Sequence, residues 1–155
     1  MKRYDWGHLN RQQVGTFAEY FVKMEFTMYG FQVYTAEVDD RGIDFVVRYE
    51  NNPFIEIQVK SVRDAKYIFL CKNNFTLKDD LYLALGILKQ EVAPDLFLIP
   101  SLTWEKIAER ESKTFVDRDY EGLKSKPEWG INLSKKNMSE LSEFQFPQMI
   151  KRLTK

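Results

Sequence analysis

The run Phe54-Ile55-Glu56-Ile57-Gln58-Val59-Lys60 alternates polar and aliphatic residues. Strand side chains point to opposite faces in turn, so a carboxylate, an amide and an amine (Glu56, Gln58, Lys60) line up on one face. Ile55, Ile57 and Val59 share the other. A second carboxylate heads the preceding apolar run, Gly42-Ile43-Asp44-Phe45-Val46-Val47. A tight hairpin between the two runs would set Asp44 beside Gln58 or Lys60. A third acid, Glu19, stands just past the border of an apolar helical arc.

Oxygen donors of this kind hold a hard divalent cation, which neutralises charge building on a phosphate and positions water as a nucleophile. On this reading Asp44 is the anionic ligand, Gln58 offers its amide oxygen, and the Val59 backbone carbonyl adds a third donor. Glu19 holds a water on the cation from the helix, and Glu56 is a further candidate ligand. Lys60 orients or deprotonates the attacking water, and as a base it needs a pKa lowered by the cation. Downstream, Lys60, Arg63, Lys66, Lys72 and Lys78 face one acid, Asp64, whereas the stretch from Glu37 to Glu56 is mainly acidic. That change of sign predicts metal ligands flanked by a phosphate-gripping surface, with Lys60, Arg63, Lys66 and Lys72 as nucleic-acid contacts.

The elements that must position these groups are legible as patterns. Val14, Phe17, Ala18, Phe21, Val22, Met24 and Met28 recur at helical spacing, and Gly30 follows where a left-handed C-cap is expected. Glu25 falls inside the apolar arc, against the pattern. Four short β-rich runs come next: Phe31 to Glu37, Ile43 to Tyr49, Phe54 to Ser61 and Tyr67 to Cys71. They are expected to form a meander of hairpins, broken at Asp39-Asp40-Arg41-Gly42 and at Glu50-Asn51-Asn52-Pro53. Leu81 to Leu88 reads as a strand buried on both faces, followed by a strand at Leu96 to Ile99. Ser101 is expected to cap a helix through Trp104, Ile107 and Ala108, and Glu111 to Glu128 reads as loop-rich. A last strand, Trp129 to Leu133, precedes a C-terminal helix from about Asn137. His8, Cys71, Trp6, Trp104 and Trp129 are read as packing residues.

Gly42-Ile43-Asp44 followed by Gln58-Val59-Lys60 resembles the PD-(D/E)xK nuclease superfamily, in the variant with glutamine found in Mrr-like restriction endonucleases. Gly15-Thr16-Phe17-Ala18-Glu19 is similar to the first core helix of the Holliday-junction resolvases of that superfamily, whose glutamate joins the site. The resemblance covers roughly residues 11 to 100. It implies an α/β fold with a mixed central sheet, an αβββαβ restriction-endonuclease-like core flanked by helices, a bound Mg2+ (or Mn2+), and DNA as substrate. By the same analogy a homodimer is expected. Gln58 replaces the usual second acid, which removes one negative charge from the cation site. A nuclease fold that binds nucleic acid or acts as a scaffold without cutting is therefore the alternative to a metal-dependent endonuclease. An unrelated small-molecule enzyme or assembly subunit is a third reading.

Composition bounds these readings. The 155 residues carry 23 basic and 23 acidic side chains, so any polyanion contact must be local rather than global. The length predicts one domain over residues 1 to 155, with a core at about 11 to 100 and an extension at about 101 to 155. One cysteine and one histidine exclude an intramolecular disulfide and a thiolate or histidine-rich metal cage. With no signal-like segment at the N-terminus and no apolar run of membrane-spanning length, the expectation is a cytoplasmic protein.

Overall fold

The computed structural model describes residues 2–37, 42–119 and 125–155. Helix α1 spans Arg11–Met28. Asn10 opens it with a reciprocal capping box: its side-chain oxygen accepts the Gln13 N–H at 2.8 Å, and the Gln13 side chain accepts the Asn10 N–H at 2.9 Å. Gly30, at φ +88°, closes it, with Phe31 N–H returning to Phe26 O at 3.1 Å. The buried stripe is Val14, Ala18, Val22 and Phe26. It is narrower than the apolar arc of the sequence, so Met24 and Met28 face solvent. Glu25 instead lies half-buried against the C-terminal segment, in a concavity shared with Asp95, Gln145 and Phe146.

The main sheet contains β1 (Gln32–Thr35), β2 (Phe45–Arg48), β3 (Ile55–Arg63), β5 (Leu81–Leu88) and β6 (Asp95–Pro100), hydrogen-bonded in that order. β3 and β5 run parallel, and every other pair is antiparallel. The turn at Glu50 to Asn52 forms as its residue types demand, with Glu50 at φ +49° and Asn52 N–H bonded to Tyr49 O. The other expected turn lies at residues 39–42, of which 39–41 fall outside the described residues. This is the mixed α/β architecture the residue patterns predict.

Two parts of the expected order differ. β4 (Tyr67–Cys71) does not continue the meander; it pairs with β8 (Glu128–Asn132), which pairs with β7 (Phe115–Arg118), in a separate antiparallel sheet. The second core helix of an αβββαβ order is also absent from the described crossover between β3 and β5, which consists of β4 and a 3-10 turn at Lys72–Asn74. The physical reason is the period. Ile68 and Leu70 are buried while Phe69 is exposed, a strand alternation with no helical stripe around it. The extension therefore supplies two strands to a sheet begun in the core region, and a strand stands within the segment expected to be loop-rich.

Phe26 of α1 packs edge-on against Phe45, 6.2 Å between ring centroids, and Phe45 is the register partner of Ile57. Alternation then places Ile57, Val59 and Ser61 under α1 and Glu56, Gln58 and Lys60 on the reverse face. On that reverse face Glu56 and Leu81 line a concavity with Asn73 and Asn74 of the 3-10 turn. β5 is buried on both sides, through Leu83, Ala84 and Leu85. Trp104, buried, donates its indole N–H to Gly130 O, and Trp129 donates its own to Phe75 O.

Ser101 does not cap a helix. Its hydroxyl accepts Lys78 N–H at 2.9 Å and donates to Lys78 O at 2.7 Å, anchoring the approach to β5, and a 3-10 turn at Ser101–Lys106 replaces the expected helix. The C-terminal helix is broken into α2 (Met138–Leu141) and α3 (Phe146–Leu153) with extended backbone at Gln145 between them. Pro147 explains the break, because it has no N–H to bond the Glu143 carbonyl and its ring would clash with that carbonyl in a continuous helix, whereas it is tolerated in the first turn of α3. Among the described residues no helix is long and apolar enough to cross a membrane.

Candidate functional site at the fork between β2 and β3

The ladder between β2 and β3 ends at the Phe45–Ile57 pair, and β3 runs on for six residues beyond it. Asp44 sits at this fork. Its N–H still bonds Ile57 O at 2.9 Å, and its carboxylate Oδ2 accepts the Val59 N–H at 2.7 Å. The side chain thus takes the strand donor that a backbone carbonyl of β2 would otherwise take. Strand N–H groups point along the sheet, so the Asp44 carboxylate lies near the sheet plane and borders both faces. In a strand the N–H and C=O of one residue leave by the same edge, so the Val59 carbonyl opens on the same fork.

From the α1 side, Glu19 joins Asp44 and Val59 in a concavity of about 500 Å³ that Gln12, Thr16 and Ser61 also line. Gln12, Thr16 and Glu19 share one helix face by their spacing of four and three. Gly15, on the same wall, carries no side chain and a Cβ there would meet nothing within 4 Å, which leaves the mouth open. Glu19 pairs with Lys23 at 3.0 Å one turn on, and the Lys23 ammonium lies 5.5 Å from the Phe45 ring.

From the reverse face comes Gln58. Its side-chain oxygen Oε1 is buried and has no hydrogen-bond partner. It lies 3.6 Å from where a Cβ on Gly42 would stand, an ordinary contact distance, so the amide packs beside the Gly42 backbone, which is at φ +73°. That same Cβ would fall 2.8 Å from Asn74 O, which fixes the Gly42–Asp44 segment against the 3-10 turn. A buried acceptor without a donor is costly, and a cation or water is the kind of group that relieves it. Asp44 and the Val59 carbonyl at the fork and Glu19 above it are oxygen donors of the kind a hard cation takes, while the Gln58 oxygen is a further unpartnered acceptor on the reverse face.

No protein-family model matches this chain, and no curated protein sequence does. The chemistry of the site rests on its own geometry.

Of the residues singled out by sequence, the structure brings Glu19, Asp44 and the Val59 backbone into one concavity. Gln58 and Lys60 do not line it. Lys60 lines an adjoining groove, and Ser61 belongs to both. Glu56 is held by Lys78 at 2.5 Å on the reverse face, and this hydrogen bond is the main reason the Lys78 ammonium titrates above its usual range. Among the described residues no group of three or more His, Cys, Asp or Glu is placed to hold a metal. Two carboxylates with neutral oxygens is the set present.

Two of the expected phosphate contacts have protein partners. Arg63 donates from Nη1 to Trp6 O at 2.5 Å and Leu9 O at 3.3 Å, strapping the N-terminal segment to the end of β3. Lys72 pairs with Asp117 and with Asp119, the latter at 3.0 Å, and sits 4.0 Å from the Trp129 ring centroid. Burial alone would lower its pKa, but the hydrogen bonds and charges of those aspartates outweigh it and hold the ammonium above its ordinary value. Lys60 and Lys66 have no salt-bridge partner among the described residues. Sequence reasoning missed Gln12, Thr16 and Ser61. Counting back three and seven from Glu19 and on two from Val59 would have found these lining positions.

Proposed function

We propose that this protein hydrolyses phosphodiester bonds in DNA with a divalent cation, magnesium or manganese, held at the fork between β2 and β3. The observation that carries the proposal is the meeting of Asp44, Glu19 and the Val59 edge of β3 in one concavity, with the Asp44 carboxylate bonded to the Val59 N–H. Asp44, Gln58 and the Val59 carbonyl would hold the cation, which when bound neutralises charge on the phosphate and sharpens the acidity of water. Glu19 orients water from the helix side, and Lys60 is the amine nearest in the chain to receive or steer its proton. Water adds across the P–O bond, leaving one strand end with a phosphate and the other with a hydroxyl. The resemblance to PD-(D/E)xK nucleases in the order Glu19, Asp44, Gln58, Lys60 supports the same reading. Cys71, the one cysteine, is a free thiol and fits a reducing compartment such as the cytoplasm.

A nuclease-like fold that binds nucleic acid without cutting is the second reading, favoured by the pairing of Glu19 with Lys23 and by an amide at position 58. Incubation of the purified protein with plasmid, linear and branched DNA separates the two. Cleavage with magnesium or manganese that chelation and Lys60→Ala both abolish supports the enzyme. Intact DNA in every case, with Lys60→Ala indistinguishable from wild type, removes it.

A further inference from the structure

The groove next to the fork, about 510 Å³, runs between the start of α1 and β4 and is lined by Arg11, Lys60, Ser61, Tyr67 and Phe69 among others. Its outer wall is aromatic. Tyr67 and Phe69 lie on the same face of β4, their ring planes within 23° and their centroids 6.5 Å apart. Phe69 is 47% exposed, an expensive way to end a strand residue unless something covers it. Tyr67 is held in one orientation. Its hydroxyl donates to Glu128 at 2.5 Å, and its ring lies over Gly130, where a Cβ would fall 2.0 Å from the phenol oxygen. Arg118 places its guanidinium 4.6 Å from the Tyr67 ring centroid.

We infer that this face of β4 is a stacking platform for an unpaired DNA strand whose phosphate is presented at the Asp44 fork. The inference rests on the nuclease reading for the direction in which the strand runs. Three observations favour that occupant. Aromatic faces stack on a base only when the base is free of its own neighbours, which a duplex does not offer and a single strand does. The lining is cationic through Arg11 and Lys60, and the buried acid on this face, Glu128, is occupied by the Tyr67 hydroxyl. Ser61 lines both concavities, so a strand leaving the fork meets the platform without crossing another element. In this arrangement Arg118 and Tyr67 fix the platform and Phe69 is the contact face.

The test is fluorescence anisotropy of a labelled oligothymidylate, and of a duplex of equal length, with full-length Asp44→Asn protein in the presence of EDTA. Tighter binding of the single strand is expected, with Phe69→Ala weakening it about 5- to 100-fold and leaving the duplex unchanged. Phe69→Leu keeps apolar bulk without a π face and should lose affinity as alanine does, which separates stacking from a folding defect. Equal or tighter binding of duplex, or no loss in either variant, overturns the inference. So does a dimer that Phe69→Leu dissociates while single-strand affinity is unchanged, because the face is then self-association surface. Wild-type protein that cuts duplex DNA but ignores Phe69 sinks this inference and spares the nuclease. Phe69-dependent binding by a wild type that cuts nothing does the reverse.

Discussion

Under the proposed function Asp44 has two separable jobs, and a pair of substitutions pulls them apart. Asp44→Asn keeps an oxygen that can accept the Val59 N–H at 2.7 Å but removes the negative charge. Asp44→Ala removes both. An unpaired strand N–H at a partly buried position costs about 1–3 kcal/mol, which for a domain of this length lowers Tm by about 3–9 °C in the alanine variant. The asparagine variant should melt within about 3 °C of wild type. Cleavage, in contrast, should fall about 100-fold or more in both, because the charge supplied to the cation is worth several kcal/mol in the transition state. Differential scanning calorimetry and a plasmid-nicking assay on the same preparations check the two axes. If the two variants melt alike, the carboxylate is not holding the edge of β3. If Asp44→Asn cuts at the wild-type rate, no anionic ligand is needed at the fork and the proposed chemistry is wrong.

Gly42→Ala meets a left-handed backbone and a carbonyl 2.8 Å away, so it should cost about 2 kcal/mol or more and lower the urea midpoint at unchanged m-value; an unaltered midpoint would mean the segment yields freely. Lys66→Gln should reduce the slope of log affinity against log salt for DNA by about 1, whereas Lys72→Gln, whose charge is taken by Asp117 and Asp119, should leave it unchanged. Equal effects would show that Lys72 reaches phosphate after all. Burial, helped by Asp79, raises the Tyr82 phenol above its ordinary 10.0. The folded chain then keeps a proton the unfolded chain releases, so this contribution is intact below pH 10 and is lost as pH rises through the folded value. Lys78, raised above 10.5 chiefly by its hydrogen bond to Glu56, acts in the same direction. Urea melts across that range should show stability falling with pH, less steeply in Tyr82→Phe, and a parallel fall in that variant would place the linkage elsewhere.

The parts of the fold that local pattern decides were legible. The alternation from Ile55 to Lys60, the Tyr67–Cys71 strand and the doubly buried Leu81–Leu88 all follow from periods of two or from continuous apolar runs over a few residues. Pairing partners are not local. Nothing in Tyr67-Ile68-Phe69-Leu70-Cys71 announces that it bonds Glu128–Asn132 rather than β3, because the choice is made by packing across 57 or more residues of chain. Ser101 misled for a related reason, since a hydroxyl suited to capping found a closer pair of partners in the Lys78 backbone. At the site, residue types and order pointed to the fork. Which face each side chain takes needed the Phe26–Phe45 contact, and the engagement of Glu56, Arg63 and Lys72 needed the positions of partners far away in sequence.

The Arg63 strap couples the two walls of the cleft. The strand that carries Gln58 and Lys60 ends in a guanidinium gripping the Trp6 and Leu9 carbonyls, immediately before Asn10 opens the helix that carries Glu19. Helix and strand are hinged together at that end, while the indole of Trp6 pins the same segment to Lys89 O beyond β5. A molecule entering between them cannot prise the jaws open there without breaking bonds to a half-buried charge. Accommodation is left to side chains and to the far end of the helix, so the aperture is a caliper set before anything is measured in it.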